Sequence, residues 1–154
     1  MTFLGTFLTR LLTVIGVAVV VILVCTTTLG AVGRYLQIPG LTWTFELVGG
    51  LFLWTTAIGT VLSEIAGENV SIDGNASDSG RGPRFRLYHA VVLALVAAAF
   101  LRSGAAYLGR SGLTPTPVMR LPGWVLQSTI LFMGAALGLI ALLRIARIIG
   151  ELRA

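Results

Sequence analysis

The stretch LLTVIGVAVVVILVCTTTLGAV, residues 11–32, has 22 residues without a charge, and thirteen of them are Leu, Ile or Val. An α-helix rises about 1.5 Å per residue, so about 20 apolar residues cross a hydrocarbon core of about 30 Å. The run is longer than the apolar core of a secretory signal peptide, which has about 7–15 residues. We therefore expect an uncleaved membrane-spanning helix.

Three further apolar runs follow along the chain. Residues 43–62 contain one charge, Glu46; residues 88–108 contain one, Arg102; and residues 124–143 contain none. Each is long enough to cross the bilayer as a helix. The predicted fold class is an all-α membrane protein, a single membrane domain over residues 1–154 with four transmembrane helices.

The composition supports this fold class. Of the 154 residues, 56% are apolar and 11% are charged, and the mean hydropathy is +0.93. Soluble domains carry roughly a quarter charged residues, so a soluble enzyme, a disordered tail and a disulfide-stapled secreted module are excluded. The net charge of +5 comes from arginines at the edges of the apolar runs. This placement indicates contact with lipid headgroups, so we expect the lipid bilayer as a partner and no nucleic acid.

The distribution of arginines predicts the orientation. With four spans, both termini lie on one side together with the connection 63–86. Seven arginines fall on that side, namely Arg10, Arg81, Arg84, Arg86, Arg144, Arg147 and Arg153. Four fall on or towards the other, namely Arg34, Arg102, Arg110 and Arg120. Basic residues are enriched in cytoplasmic connections. We therefore expect a multi-pass protein of the bacterial inner membrane with both termini in the cytoplasm.

The connections and span ends also carry signals. The outer loops 33–42 and 109–123 are short, whereas the cytoplasmic loop 63–86 is longer and polar. Apolar residues at helical spacing before the first span, including Phe3 and Phe7, predict an amphipathic lead-in at the membrane surface. Each outer span end has one amphipathic aromatic residue, as expected for interfacial anchors. These anchors are Tyr35, Trp43, Tyr107 and Trp124.

The sequence lacks the residues of common catalytic and cofactor sites. It has a single histidine, His89, and a single cysteine, Cys25. A bis-histidine haem site, a metal-ligand cluster and an intrachain disulfide are therefore not expected. No phosphate-binding loop, dinucleotide fingerprint or nucleophile elbow is present. We expect no enzyme activity, no catalytic, substrate-binding or metal residues and no cofactor.

Two charges lie within the predicted spans and are the default functional candidates. Glu46 lies about 4.5 Å below the outer interface and Arg102 about 7.5 Å below it, at 1.5 Å per helical residue. Glu46 can be a cation or substrate ligand, or a carboxylate that complements the positive end of the helix dipole. The opposite signs and similar depths lead us to the hypothesis that Glu46 and Arg102 pair with each other or with a partner subunit.

Small residues predict helix-packing faces. Gly134 and Gly138 lie four residues apart in the fourth span, and Gly49 and Gly50 lie in the second. Small residues let membrane helices approach closely. Beyond the fourth span, Arg144, Arg147 and Glu151 share a helical stripe, which we interpret as a solvated cytoplasmic extension.

Four short stretches, in order and in register with the spans, resemble the small membrane subunit (DctQ type) of tripartite ATP-independent periplasmic (TRAP) transporters. They are Gly33-Arg34-Tyr35, Leu41-Thr42-Trp43-Thr44-Phe45-Glu46-Leu47, Gly67-Glu68-Asn69-Val70-Ser71-Ile72-Asp73 and Leu121-Pro122-Gly123-Trp124. The positions that match the family pattern include Arg34, Trp43, Glu46, Gly67 and Asp73. The chain departs from the pattern at Phe45, Asn69 and Phe132, where the family has Glu, His and Pro.

The resemblance implies a small permease subunit that scaffolds a large membrane subunit (DctM type). In such transporters a periplasmic binding protein delivers an organic acid, and the large subunit binds the sodium that drives uptake. An alternative reading is an autonomous four-helix multidrug/proton antiporter acting as a homodimer. Against it, the first span carries no acidic residue for coupling to protons.

Overall fold

Four long helices account for most of the chain in a computed structural model, which describes residues 3–66 and 83–153. Helix α1 runs over Phe3–Tyr35, α2 over Trp43–Ala66, α3 over Pro83–Ser111 and α4 over Trp124–Arg153. Each is long and apolar enough to cross a membrane. The predicted fold class is confirmed. The ends bearing the connections 36–42 and 112–123 are called the loop side, and the opposite ends the terminus side.

The helices extend beyond the predicted spans on the terminus side. Helix α1 begins at Phe3, so the amphipathic lead-in forms the first turns of the same helix. Helix α2 continues to Ala66 and α3 begins at Pro83, so both ends of the predicted loop 63–86 are helical. Proline suits the first position of a helix because its missing N–H would have no helical partner there. Residues 67–82, including Gly67 and Asp73, lie outside the described residues.

Several threonines within these apolar helices bond their hydroxyls to their own helix. The hydroxyls of Thr9, Thr13 and Thr27 donate to the carbonyls four residues earlier, at 3.0, 2.9 and 2.7 Å. Thr56 and Thr60 do the same in α2. A polar group that faces hydrocarbon without a partner is costly, and this bond removes the cost.

The helices pack side by side in the order α1–α2–α4–α3. Helix α3 lies against α4, α1 against α2, and α2 against α4. Val61, Ala97 and Leu137 bring α2, α3 and α4 together in one buried cluster. The rings of Trp54 and Phe132 join α2 to α4 at a centroid distance of 5.6 Å. The two outer helices leave broad apolar faces uncovered, and none of the most apolar stretch of α1 is buried.

Close approach of α3 and α4 depends on glycine. A Cβ atom at Gly134 would lie 3.1 Å from the backbone nitrogen of Leu101, and one at Gly138 would lie 3.6 Å from the Cβ of Ala97. Both glycines therefore face α3, as the predicted packing face requires.

The two predicted packing glycines of α2 differ in whether they face another helix. A Cβ atom at Gly50 would overlap Leu126 of α4, whereas one at Gly49 would meet nothing within 4 Å. Among the described residues Gly49 therefore makes no close helix approach, and that part of the packing prediction is corrected. Adjacent helical residues point about 100° apart because a turn takes 3.6 residues, so both glycines cannot face α4.

Replacing Gly134 with leucine is expected to separate α3 from α4 and destabilise the fold by about 1–3 kcal/mol, as overpacking does. Thermal unfolding of the purified protein in detergent, followed by tryptophan fluorescence, measures the change. Ala135→Leu is the matched control because Ala135 is exposed on the same turn. Equal shifts of Tm for the two variants would contradict the close-approach role of Gly134.

Candidate functional site

The Glu46 carboxylate fastens the loop between α3 and α4 to the start of α2. Its two oxygens accept hydrogen bonds from the backbone N–H groups of Val118 and Met119, at 2.7 and 2.8 Å. Hydrogen bonds to an ionised acceptor are stronger than neutral ones. We call this arrangement the loop-side contact. Val118 and Met119 follow Glu46 in the sequence by 72 and 73 positions.

The loop is built so that these two N–H groups point to Glu46. Thr116 donates its N–H to the carbonyl of Leu121 at 2.8 Å and accepts the N–H of Leu121 on its hydroxyl at 3.1 Å. Pro115 and Pro122 face each other across this tight reversal, and Arg120 takes the left-handed conformation with φ of 52°. The Glu46 carboxylate accepts hydrogen bonds from two backbone N–H groups at the tip of this loop.

The base of the same loop is anchored to both of its helices. Trp124 donates its N–H to the carbonyl of Gly112 at 2.8 Å. The side-chain amide of Gln127 donates to the hydroxyl of Ser111 at 3.0 Å. The α3–α4 connection is therefore a fixed hairpin, and the loop-side contact fixes this hairpin to α2.

A buried ion pair joins α2 to α4 on the terminus side. Glu64 is 2% exposed. The Arg144 guanidinium donates from Nη1 to the Glu64 carboxylate and from Nη2 to the Glu64 backbone carbonyl at 2.6 Å. The last four carbonyls of a helix lack helical partners, so one guanidinium neutralises a buried charge and caps the end of α2. We call this the terminus-side contact.

More basic groups surround the terminus-side contact. A cavity of about 90 Å³ is lined by Arg86, His89, Arg144 and Arg147. His89 is exposed at this end of α3. Among the described residues, no group of three or more His, Cys, Asp or Glu side chains could hold a metal ion.

The two charges predicted to pair do not meet. Arg102 is exposed on α3, and within residues 5–66 and 85–150 no ion pair joins it to Glu46. The two residues have similar depths but sit on helices separated by α4, and the Glu46 carboxylate is occupied by backbone donors. The mutual pairing is therefore corrected, whereas pairing of Arg102 with a partner subunit stays a prediction.

The aromatic anchors lie at the loop-side ends of the helices. Tyr35 is 88% exposed, Tyr107 and Trp124 are each 50% exposed, and Trp43 is half-buried. Such exposure at helix ends suits contact with headgroups.

Arg34 contacts both the helix that bears it and the next one. Its Nε donates to the carbonyl of Gly30 at 3.3 Å, and its guanidinium lies 4.9 Å from the ring centroid of Phe45. A cation above an aromatic face is attracted to it. The departure from the family pattern at Phe45 thus creates an additional contact between α1 and α2.

Sequence reasoning missed the terminus-side contact. It placed Glu64 in a loop and Arg144 in a solvated stripe, whereas the structure makes Arg144 the partner of Glu64. Arg147 is exposed, as that stripe predicts, and the side chain of Glu151 lies outside the described ones. The sequence does contain a signal for this contact. Glu64 is an acidic residue next to one apolar span, and Arg144 is a basic residue at the matching depth of another span.

Glu46→Gln is expected to loosen the hairpin at the loop-side contact, because a neutral amide presents one acceptor oxygen instead of two charged ones. Hydrogen–deuterium exchange of peptides covering residues 112–123 should become faster. Arg102→Gln is the control, since it removes a charge at similar depth that makes no described contact with the hairpin. Unchanged exchange in Glu46→Gln would mean that the carboxylate does not hold the loop.

Glu64→Gln and Arg144→Gln are each expected to lower the free energy of unfolding by about 2 kcal/mol. This is less than the loss for a fully buried pair, because the Arg144 side chain is 31% exposed. The free energy of unfolding of the double variant should fall by less than the sum of the two single losses, since each single variant already breaks the pair. Arg147→Gln, one turn further along α4, is the control. Additive losses would contradict a coupled pair.

Comparison with known protein families gives a match over most of the chain. Residues 23–151 match the family described as "Tripartite ATP-independent periplasmic transporters, DctQ component". No curated protein and no solved structure matches the chain. The matched range covers most of the chain and contains both polar contacts of α2.

Proposed function

Because this chain belongs to the DctQ component family of tripartite ATP-independent periplasmic transporters, we propose that it is a static brace for the large, DctM-type membrane subunit. The chain is a small membrane subunit of such a transporter and a multi-pass membrane protein. In the proposal, the large subunit binds sodium and substrate and moves during transport, while this chain holds part of the assembly still.

The observation that carries the brace is the fastening of α2 at both ends. The loop-side contact ties its start to the α3–α4 hairpin, and the terminus-side contact ties its end to α4. A helix held by charged groups at both membrane faces resists sliding and tilting relative to its neighbour, because either motion would separate a charged group from its partners. Such resistance supports a scaffold.

The side-by-side order of the helices supports a partner-dependent role. The outer helices α1 and α3 have long apolar faces that the described residues do not cover. Lipid and apolar helices of a partner subunit can both cover such faces. We propose that the large subunit covers part of this surface, and that Arg102, exposed on α3, is shielded in the assembly.

The proposed substrate is an organic acid delivered by a periplasmic binding protein and taken up with sodium. The orientation in the proposal puts the terminus side in the cytoplasm of a cell with an inner membrane, following the excess of arginines on that side. The family match gives no support to the autonomous antiporter. We propose no cofactor, catalytic residue or substrate ligand for this chain.

Extraction of the tagged chain from its native membrane is expected to bring down a larger polytopic protein. Vesicles containing both proteins and the binding protein should accumulate the organic acid when an inward sodium gradient is applied. Vesicles with this chain by itself should not, because its membrane segments lack a set of charged ligands for an ionic substrate.

Two controls make this experiment decisive. Vesicles with the large protein alone test whether the brace is required, and uptake equal to that of the full assembly would contradict the proposal. Export of cationic dyes by vesicles containing only this chain would instead support the antiporter.

A further inference from the structure

A groove between α1 and α2 opens on the terminus side. Its wide part is a cavity of about 920 Å³, with Arg10 of α1 and Arg147 of α4 among its lining residues. A narrower cavity of about 300 Å³ follows towards the middle of the two helices. Both parts are lined by Thr13, Gly59 and Leu62, so they form one continuous depression. We call it the α1–α2 groove.

The mouth of the α1–α2 groove is positively charged. Arg10 and Arg147 are both exposed. In the part of the chain that the structure describes, neither forms an ion pair with a carboxylate. Two cations without a described counter-charge, at the depth where a membrane helix enters the headgroup region, attract a negatively charged headgroup.

The rest of the α1–α2 groove is apolar and has the length of one leaflet. On α1 the lining runs from Gly5 to Val21, and the part inward of the basic mouth, from Arg10 to Val21, is eleven helical steps or roughly 17 Å long. Half of a hydrocarbon core is about 15 Å. The hydroxyls of Thr9 and Thr13 are already bonded to backbone carbonyls, so these side chains present their methyl groups.

Glycine makes the space in the α1–α2 groove. A Cβ atom at Gly59 would meet nothing within 4 Å, so the surface there is open. Further towards the loop side the same two helices close up, because a Cβ atom at Gly30 would lie 2.8 Å from the hydroxyl of Thr44. The space therefore covers one leaflet only, which suits an acyl chain better than a helix that crosses the whole bilayer.

We propose that the α1–α2 groove is a binding site for an anionic phospholipid of the terminus-side leaflet. The phosphate lies between the guanidinium groups of Arg10 and Arg147, and one acyl chain lies along Val17, Val20 and Gly59. The lipid fills the gap beside α1, which otherwise contacts the rest of the chain mainly through α2. This proposal does not depend on the transport role.

Native mass spectrometry of the full-length chain in detergent, titrated with phosphatidylglycerol or phosphatidylcholine of identical acyl chains, tests the site. We expect tighter binding of phosphatidylglycerol. Arg10→Gln with Arg147→Gln should weaken phosphatidylglycerol binding about thirtyfold, the loss expected for two basic contacts with an anionic headgroup. Arg110→Gln with Arg120→Gln removes two exposed loop-side arginines and should leave binding unchanged.

A second pair of variants tests the acyl-chain part of the groove. Gly59→Leu should reduce binding of both lipids, because its side chain would occupy the groove. Gly49→Leu is the matched control, since Gly49 lies on the same helix and also faces open space.

Equal affinity for the two lipids, or unchanged binding in the arginine or Gly59 variants, would overturn the proposal. It would also fail if Gly59→Leu abolished association with a large membrane protein or with a second copy of the chain while lipid binding stayed intact. That result would make the groove a protein-docking surface.

Discussion

Apolar side chains gain little by leaving lipid for one another, so the hydrophobic effect that folds a soluble bundle does not hold four membrane helices together. Close backbone approach and hydrogen bonds between polar groups take its place. In this chain, glycine provides the approach between α3 and α4, and two carboxylates provide the polar contacts of α2. Glu46 and Glu64 lie near opposite ends of that helix, so one helix is fixed at both membrane faces.

The loop-side contact and the terminus-side contact differ in chemistry, but each of them fixes one end of α2. Glu46 has no described cationic partner and instead receives two backbone N–H groups of a tight hairpin. Glu64 is buried and receives a guanidinium that also caps the last turn of its helix. A buried carboxylate without such donors would be strongly unfavourable. Because each carboxylate already accepts hydrogen bonds from another part of the chain, both acids are better explained as contacts that stabilise the fold than as ligands for a transported ion.

The order α1–α2–α4–α3 places the fastened pair in the centre and the less covered helices at the edges. A closed bundle would bury its polar groups among all four helices, whereas this layer leaves two broad apolar faces. A layer with a fixed centre and accessible edges suits a subunit whose partners are other membrane helices and lipid. The proposed phospholipid site lies at one of these edges, where α1 has the fewest protein contacts.

The sequence by itself determined that the chain has four membrane-spanning segments and roughly where along the chain each one lies. The length of the apolar runs set four helices, and the charges and aromatic residues marked their ends, because these are local properties of a helix that crosses a layer of fixed thickness. The resemblance carried by Arg34, Trp43 and Glu46 also led to the family.

What the sequence left open was the direction in which each side chain points around its helix. Glu46 and Arg102 have similar depths, yet only tertiary packing shows that α4 lies between their helices. The partners of Glu64 and Glu46 lie some 70 to 80 residues away. Only the rotation and order of the helices bring them together, and these depend on the packing of all four helices at once.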